Sequence, residues 1–229
     1  MSLPQAVLTL STDVLADLND DERLAFAYAH GPALSEFGDD ADLVCVWDAE
    51  TVPEGVDDTA DHLTVVEFEQ LLDSLMLGEG WYEPSAEALH VIARFAEGIL
   101  LADDSELGSK ARAEVTEFPQ ALADASRTAV EREAEAVAKR LGEASDPWEL
   151  AETLTGGLHR AYVALFAAAG HFFPGREHRR EYVERYMLGE EVPEAEAAVW
   201  AAAEAAPAER AVRLPEAWRE LARAVLANC

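Results

Sequence analysis

The chain has 229 residues, half of which are hydrophobic, and its formal net charge is −29 at pH 7. This length and apolar content suffice for one large domain or two small domains with a hydrophobic core. The charge argues against a general nucleic-acid binder, because contacts to phosphates require clustered Lys and Arg side chains.

The sequence also argues against a membrane protein. No segment approaches the roughly 20 uninterrupted apolar residues that are needed to span a bilayer. The first residues, MSLPQAVLTLSTDVLADLNDDER, lack the basic start and the small-residue cleavage site of a signal peptide. We therefore expect a soluble cytoplasmic protein, and the sequence predicts nothing about its oligomeric state.

Charge is unevenly distributed along the chain. Residues 1–118 carry 27 acidic and 4 basic side chains, whereas residues 119–229 carry 19 acidic and 13 basic ones. Only Lys110 and Lys139 are lysines. Many carboxylates with few lysines are typical of a protein that stays soluble in high salt, where screening weakens self-repulsion. A halophilic origin is one hypothesis, and a GC-rich genome that favours Arg and Ala is the alternative.

The first half alternates helical and strand patterns. Two apolar runs, LAFAYAHG and ADLVCVWD, predict strands, and Cys45 in the second run is predicted to act as a small apolar residue. Thr64 and Glu67 have the spacing of a capping box that starts a helix. The other predicted elements are a short helix over 12–24, a weakly coded strand around 59–63, a helix from Ser85 to Gly98 and a strand over 99–101. Such alternation predicts a small α/β or α+β domain.

The pattern changes after Phe118-Pro119. Ala-rich stretches with helical periodicity predict a helical bundle. These stretches cover residues 120–142, 147–170, 177–188 and 194–227, with interruptions predicted at Pro147, Pro174-Gly175, Pro193, Pro207 and Pro215. The aromatic pair Phe172-Phe173 is predicted to lie in the core or at a domain interface rather than to form a stacking platform. His159 is predicted to be a satisfied histidine, either at the surface or partly buried. We place the domain boundary between residues 1–117 and 118–229.

Two aspartates, Asp40 and Asp42, immediately precede the second predicted strand. Acidic residues make up 46 of the 229 positions, so a pair with this spacing is expected often by chance. Its position is more informative, because residues i and i+2 of a strand point to the same face. Carboxylate oxygens suit an Mg²⁺ ion that holds substrate phosphates. Gly31, at the end of the preceding strand, is a place where the backbone could approach a phosphate closely.

Three segments, in this order along the chain, resemble the nucleotidyltransferase superfamily with its polymerase-β-like fold. AYAHGPALSEFGDDADLVCVWD resembles the core of that fold, in which a strand, a glycine turn and a short helix precede Asp-x-Asp and an apolar strand. FAEGILLADDSELGSKARAEVTEFP and HRAYVALFAAAGHFFPGREHRREYVERY are similar to later segments of the family. The resemblance implies an α+β fold, a small mixed-sheet nucleotidyltransferase-like domain followed by an all-α helical bundle.

The resemblance also implies an activity. Members transfer a nucleoside monophosphate from ATP or another triphosphate to a hydroxyl group of a small molecule or a protein, using Mg²⁺. Asp40 and Asp42 would be the metal ligands. Asp61, or Asp58 instead, would be the third carboxylate and the base for the acceptor hydroxyl. Gly31 and Ser35 would approach the phosphates, unless Ser35 serves only as a helix cap.

Phosphates also require cations, and the first half contains only Arg23, Arg94, Lys110 and Arg112. The run GREHRREYVERY offers a second supply, with Arg176 and Arg180 as candidate phosphate ligands beside Arg179 and Arg185. A substrate cleft between the two domains would use them. The alternative is that these arginines form i, i+4 pairs with Glu181 and Glu184 on a solvated helix face.

Two further interpretations of the whole chain stay open. Pro32 stands where the family has serine, and it supplies neither a hydroxyl group nor an N–H to a phosphate. A catalytically degenerate member that acts as a binding or regulatory module is therefore an alternative. The other is an acidic helical interaction protein that is unrelated to nucleotidyltransferases.

Overall fold

The structure is a computed structural model that describes residues 4–18, 21–34, 38–56, 59–76, 86–116, 118–175 and 179–229. The described chain divides into two compact units, of which the first ends at Phe118 and the second begins at Pro119. None of the helices in these ranges is long and apolar enough to cross a membrane.

The first unit contains four strands and five α-helices within its described residues. Its elements are α1 (Gln5–Thr9), α2 (Leu15–Leu18), β1 (Leu24–His30), β2 (Asp42–Trp47), β3 (Asp61–Thr64), α3 (Val65–Met76), α4 (Ala86–Glu97), β4 (Ile99–Ala102) and α5 (Leu107–Thr116). A single wider π-helical turn joins α1 to α2. The predicted helix over 12–24 is too long, because the described chain is already in a turn at residues 21–23, where the Asp21 carboxylate accepts bonds from the Arg23 backbone and side chain.

The strands form one mixed sheet in the order β3-β2-β1-β4. β1 runs antiparallel to both β2 and β4, whereas β2 and β3 are parallel. His30 lies opposite Asp42, Tyr28 opposite Val44, and Val44 beside Asp61. Because paired residues share a face and side chains alternate along a strand, these five side chains belong to one face of the sheet.

The opposite face carries an apolar cluster. Leu43, Cys45 and Trp47 of β2 pack there with Ala27 and Leu15. Burial raises the pKa of the Cys45 thiol to about 12, so this cysteine stays protonated and behaves as the small apolar residue that the sequence predicts.

The face that carries His30 and Asp42 is covered by aromatic side chains. Phe26 and Tyr28 of β1 meet Phe68 of α3 and Phe95 of α4, with ring centroids 4.9–5.8 Å apart in mostly edge-to-face geometry. The predicted capping box sets the start of α3, since the Thr64 backbone N–H donates to Glu67 Oε2 at 2.8 Å and the Glu67 N–H donates to Thr64 Oγ1 at 3.2 Å. The helices α3 and α4 therefore pack against this face of the sheet.

Helices are the only regular elements in the described residues of the second unit. Its helices are α6 (Gln120–Glu143), α7 (Pro147–Ala168), α8 (Arg179–Arg185), α9 (Val192–Ala203) and α10 (Pro207–Ala227). The predicted break at Pro215 is wrong, because α10 continues through that residue. A side chain on Gly142 of α6 would come within 2.9 Å of the Pro215 ring, so the glycine makes room for the proline between the two helices.

The predicted fold class is confirmed: a small mixed sheet with its helices is followed by a helical region.

Candidate functional site

Polar side chains converge where three strands meet at one edge of the sheet. β1 ends at His30 there, while β2 and β3 begin there at Asp42 and Asp61. Asp61 pairs with Val44, which lies two residues after Asp42 on β2. Asp61 is therefore on the same face of the sheet as Asp42. We call Asp42, Asp61, His30 and the nearby Arg94 the carboxylate edge.

Both carboxylates of this edge are largely exposed and only loosely paired. Asp42 Oδ2 lies 3.9 Å from His30 Nδ1, and 64% of the Asp42 side chain is exposed. Asp61 Oδ2 lies 3.7 Å from Arg94 Nη1, and 67% of the Asp61 side chain is exposed. Ion pairs of this length and exposure add little to stability, so the carboxylate oxygens stay accessible to a ligand.

His30 is the buried member of the edge. It is only 4% exposed, and its Nε2 atom has no hydrogen-bond partner in the described part of the chain. Burial, which is the largest cause, and the charges of Arg94 and the neighbouring His90 together lower the pKa of His30 to about 3. The imidazole is therefore neutral at physiological pH, and its ring centroid lies 6.2 Å from that of Tyr28.

The backbone conformation immediately after His30 favours a glycine at position 31. Gly31 has φ +121°, and a Cβ there would lie 3.1 Å from both the Ala41 Cα and the Asp40 carbonyl oxygen. The chain then forms a short 3₁₀ turn, Pro32–Leu34. Gly31 thus permits the loop before β2 to pass close to the end of β1.

The backbone N–H groups of this turn already donate hydrogen bonds to carbonyl groups of the chain. The Ala33 N–H donates to the Asp40 carbonyl at 2.9 Å, and the Leu34 N–H donates to the Gly31 carbonyl at 3.1 Å. Pro32 has no N–H to offer. Ser35, which the resemblance places near the phosphates, lies outside the described residues.

Asp40 differs from Asp42 in its setting. It is exposed in the loop that precedes β2, whose first residue is Asp42. The expectation that both aspartates point to one face of a strand therefore applies to Asp42 alone, because the strand has not begun at Asp40. Asp58 lies outside the described residues. Among the residues that are described, no group of three or more His, Cys, Asp or Glu side chains is arranged to hold a metal ion.

Two arginines of the first unit lie in different environments. Arg94 on α4 reaches Asp61 at the carboxylate edge. Arg112 on α5 lies inside, with Nη1 donating to the Gly98 carbonyl at 2.9 Å and Cζ lying 4.6 Å from the centroid of the Phe95 ring. Its Nε and Nη2 atoms are buried without a hydrogen-bond partner among the residues that the structure describes, and burial lowers its pKa.

The arginines of the second unit that the sequence offers as phosphate ligands differ in their settings. Arg180 of α8 is exposed, whereas Arg176 lies outside the described residues. Arg179 donates to Glu196 of α9, a partner that the sequence analysis did not consider. Glu196 has no exposed surface, and it also accepts hydrogen bonds from the Tyr162 hydroxyl at 2.5 Å and from Trp200 Nε1 at 2.9 Å. We call these four side chains the Glu196 network.

Sequence reasoning missed His30 and Glu196 for different reasons. The alternation Phe26-x-Tyr28-x-His30 places the histidine on the aromatic face of β1, and this signal was available in the sequence. Glu196 carried no such signal, because it is one of many acids in an Ala-rich helix.

Comparison with known proteins identifies no family. No protein-family model and no curated protein matches the chain. Among solved structures, the chain is similar to a nucleotidyltransferase-like protein from Exiguobacterium sibiricum 255-15, with 13% sequence identity and a TM-score of 0.48 over 96% of this chain and 74% of that one. This similarity is a resemblance between backbones and transfers no residue role.

Proposed function

We propose that the chain is a Mg²⁺-dependent nucleotidyltransferase that passes a nucleoside monophosphate from ATP to a hydroxyl group of a small molecule or a protein. The observation that carries this proposal is the carboxylate edge. Asp42 and Asp61 begin neighbouring parallel strands at the edge where β1 ends, and both carboxylates are exposed on the same face. Together with the three sequence segments that resemble the superfamily, this placement favours a phosphoryl-transfer site.

The donor set suits Mg²⁺. This ion keeps several waters and is commonly held by one or two carboxylates together with substrate phosphates. Asp42 and Asp61 would supply two carboxylates, and the resemblance adds Asp40, which lies in the loop just before β2. When bound, Mg²⁺ would neutralise charge that develops at the α-phosphate. A site of this kind acquires its remaining ligands only with the nucleotide.

The residues of the edge have distinct roles in this proposal. Asp61 accepts the proton of the attacking hydroxyl group, because a solvent-facing carboxylate can serve as a general base. Arg94, 3.7 Å from Asp61, is the cation that can turn to a phosphate oxygen. His30 stays neutral and buried, so it adds no repulsion toward the metal.

A second candidate function is a degenerate member that binds a nucleotide or a partner without catalysis. It is favoured by the turn after Gly31, where Pro32 has no N–H and the amides of Ala33 and Leu34 donate within the chain. A turn with its amides occupied cannot cradle a phosphate as a free glycine turn does.

The test is thermal unfolding in multimolar KCl with Mg²⁺ and ATP added singly and together. The proposal predicts that Tm rises only when both are present, and that Asp42→Asn/Asp61→Asn abolishes the rise. Asp48→Asn/Glu50→Gln is the matched control, since it removes the same charge from exposed positions just after β2. An unchanged Tm in the wild type, or an equal rise in the Asn variant, contradicts the proposal.

Release of pyrophosphate separates the two candidates. A nucleotidyltransferase releases it slowly from ATP even with water as the acceptor, and Asp61→Asn stops the release. A rise in Tm without any pyrophosphate supports the degenerate binding module.

A further inference from the structure

The second unit contains a pocket of about 170 Å³ that nothing above uses. Its lining comes from α7, from the segment after α7, and from the helices α8 and α9. The side chains that shape it are Thr155, His159, Tyr162, Phe173, Arg179 and Trp200. All belong to the second unit, so the pocket does not depend on the carboxylate edge.

Aromatic rings make up most of the pocket wall, and the packing of the unit fixes them. Phe173 is only 2% exposed. Its ring stacks on Tyr162, with centroids 5.8 Å apart and planes 19° apart, and meets the His159 ring edge to face at 5.6 Å. These rings have little freedom to collapse into the space.

The Glu196 network holds two more wall residues. Tyr162 and Trp200 both donate to the Glu196 carboxylate, which therefore fixes their polar ends. Arg179 also bonds to Glu196, and its Cζ lies 5.5 Å from the centroid of the Tyr162 ring. The pocket is thus formed before any ligand arrives, which lowers the entropic cost of binding.

Charge limits what can enter. The guanidinium of Arg179 lines the pocket and repels a cation, even though an aromatic cage would otherwise favour one. Glu196, fully buried next to Arg179, Tyr162 and Trp200, neutralises the arginine and repels an anion. The sum of the two charges is zero, so a neutral ligand meets the least electrostatic resistance.

Size sets the second limit. An apolar cavity of about 150 Å³ accommodates benzene. The pocket here is slightly larger, and it is smaller than the roughly 300 Å³ at which sites for drug-sized molecules begin. It therefore fits one aromatic ring with a short substituent.

From these observations we infer that the pocket binds a neutral, planar aromatic ring that carries a hydrogen-bond acceptor. The ring packs among the aromatic side chains of the pocket wall, and the acceptor faces the guanidinium of Arg179. This inference is independent of nucleotidyl transfer, and either one can fail without the other.

Benzamide is the probe, because it is a neutral ring with a carbonyl acceptor. Three analogues each change one property: cyclohexanecarboxamide removes planarity, benzoate adds negative charge, and benzyltrimethylammonium adds positive charge. We expect benzamide to shift the indole N–H resonance of Trp200 in NMR titrations, and each analogue to bind at least about tenfold more weakly. The indole resonances of Trp47 in the first unit and of Trp148, which is 83% exposed, should not move.

A pair of variants tests the location. Thr155→Phe fills the pocket from α7, whereas Thr128→Phe adds the same ring to an exposed site on α6. The two threonines are matched, since each hydroxyl donates to the carbonyl four residues earlier at 2.8 Å. Thr155→Phe should weaken benzamide binding by at least about tenfold, and Thr128→Phe should leave it unchanged.

Three results would overturn the inference: benzamide fails to shift the Trp200 resonance, the cation or the anion binds more tightly than benzamide, or Thr155→Phe binds benzamide as the wild type does. The titration of the wild type does not depend on how well either variant folds.

Discussion

The carboxylate edge and the Glu196 network contain the same chemical pair in two settings. At the edge, Asp61 faces Arg94 at 3.7 Å, and in the network Glu196 bonds directly to Arg179. The arginines are similarly exposed, at 28% and 23% of the side chain, but the carboxylates differ, at 67% for Asp61 and 0% for Glu196. The exposure of the carboxylate, rather than the presence of an arginine partner, therefore distinguishes a structural carboxylate from one that is available to a ligand.

The pKa of Glu196 reflects its setting. Burial alone would raise this pKa, but the hydrogen bonds from Arg179, Tyr162 and Trp200 outweigh burial and lower it. The acid is therefore ionised and its oxygens are occupied by donors. A carboxylate with such partners stabilises the second unit and has little capacity left for a metal.

The largest effect on stability is expected when the buried charge of Glu196 is removed. Glu196→Gln leaves Arg179 without its counter-charge and should lower the free energy of unfolding by about 3–5 kcal/mol. Chemical denaturation measures this difference. Glu194→Gln, an exposed change on the same helix, is the control and should stay within about 0.5 kcal/mol. A loss below about 1 kcal/mol for Glu196→Gln would contradict the structural role.

The shape of the edge depends on Gly31. Gly31→Ala combines a positive φ with a clash against the Asp40–Asp42 backbone, and should cost about 3 kcal/mol. Gly55→Ala is the matched control, because Gly55 also has a positive φ, +81°, but no atom of the described residues lies within 4 Å of the added carbon. This change should cost about 1 kcal/mol. Equal losses in urea unfolding would show that the close approach of the loop adds nothing.

The buried histidine gives the edge a pH dependence that the Glu196 network does not share. The pKa of His30 is about 3 when folded and about 6.5 when unfolded. As pH falls below 6.5, the unfolded chain takes up this proton first, so stability is lost progressively toward pH 3. Between pH 7 and pH 5 the loss from His30 should be about 2 kcal/mol.

His30→Gln isolates that contribution. The fall in unfolding free energy from pH 7 to pH 5 should be smaller in the variant than in the wild type, because the carboxylates affect both proteins alike. The same fall in both would mean that His30 is not held neutral by the fold.

The smallest effect on stability is expected at the carboxylates of the edge. Asp42→Asn/Asp61→Asn should change the free energy of unfolding by less than about 1 kcal/mol, because exposed pairs contribute little. This small change in the free energy of unfolding would contrast with the large loss that is expected for Glu196→Gln. A loss as large as that of Glu196→Gln would show that the edge is held together by its acids rather than left open for a ligand.

The sequence predicted those elements whose signals are local. β1 and β2 were evident from apolar runs, and the start of α3 from Thr64 and Glu67, because neighbouring residues determine a strand pattern or a capping box. The helix α5 was missed because its start depends on the Asp103 carboxylate, which accepts bonds from the Gly108 and Ser109 N–H groups. The predicted break at Pro215 failed because packing against Gly142 overrides a local preference.

The site was predictable only in part for the same reason. The sequence predicted Asp42 and Asp61 as candidates, and the strand register brings them to one face. The pairing of Glu196 with Arg179, 17 residues away, depends on how α8 and α9 pack, and no pattern in an acid-rich helix indicates which acid is buried.

The most direct measurement counts ions at the carboxylate edge. Electron paramagnetic resonance of Mn²⁺, a substitute for Mg²⁺, reports binding with and without a non-hydrolysable ATP analogue, and multimolar KCl suppresses binding to the many surface acids. The account predicts nucleotide-dependent Mn²⁺ binding in the wild type and in Asp48→Asn/Glu50→Gln, and its loss in Asp42→Asn/Asp61→Asn. Equal nucleotide-dependent binding in all three proteins would contradict it.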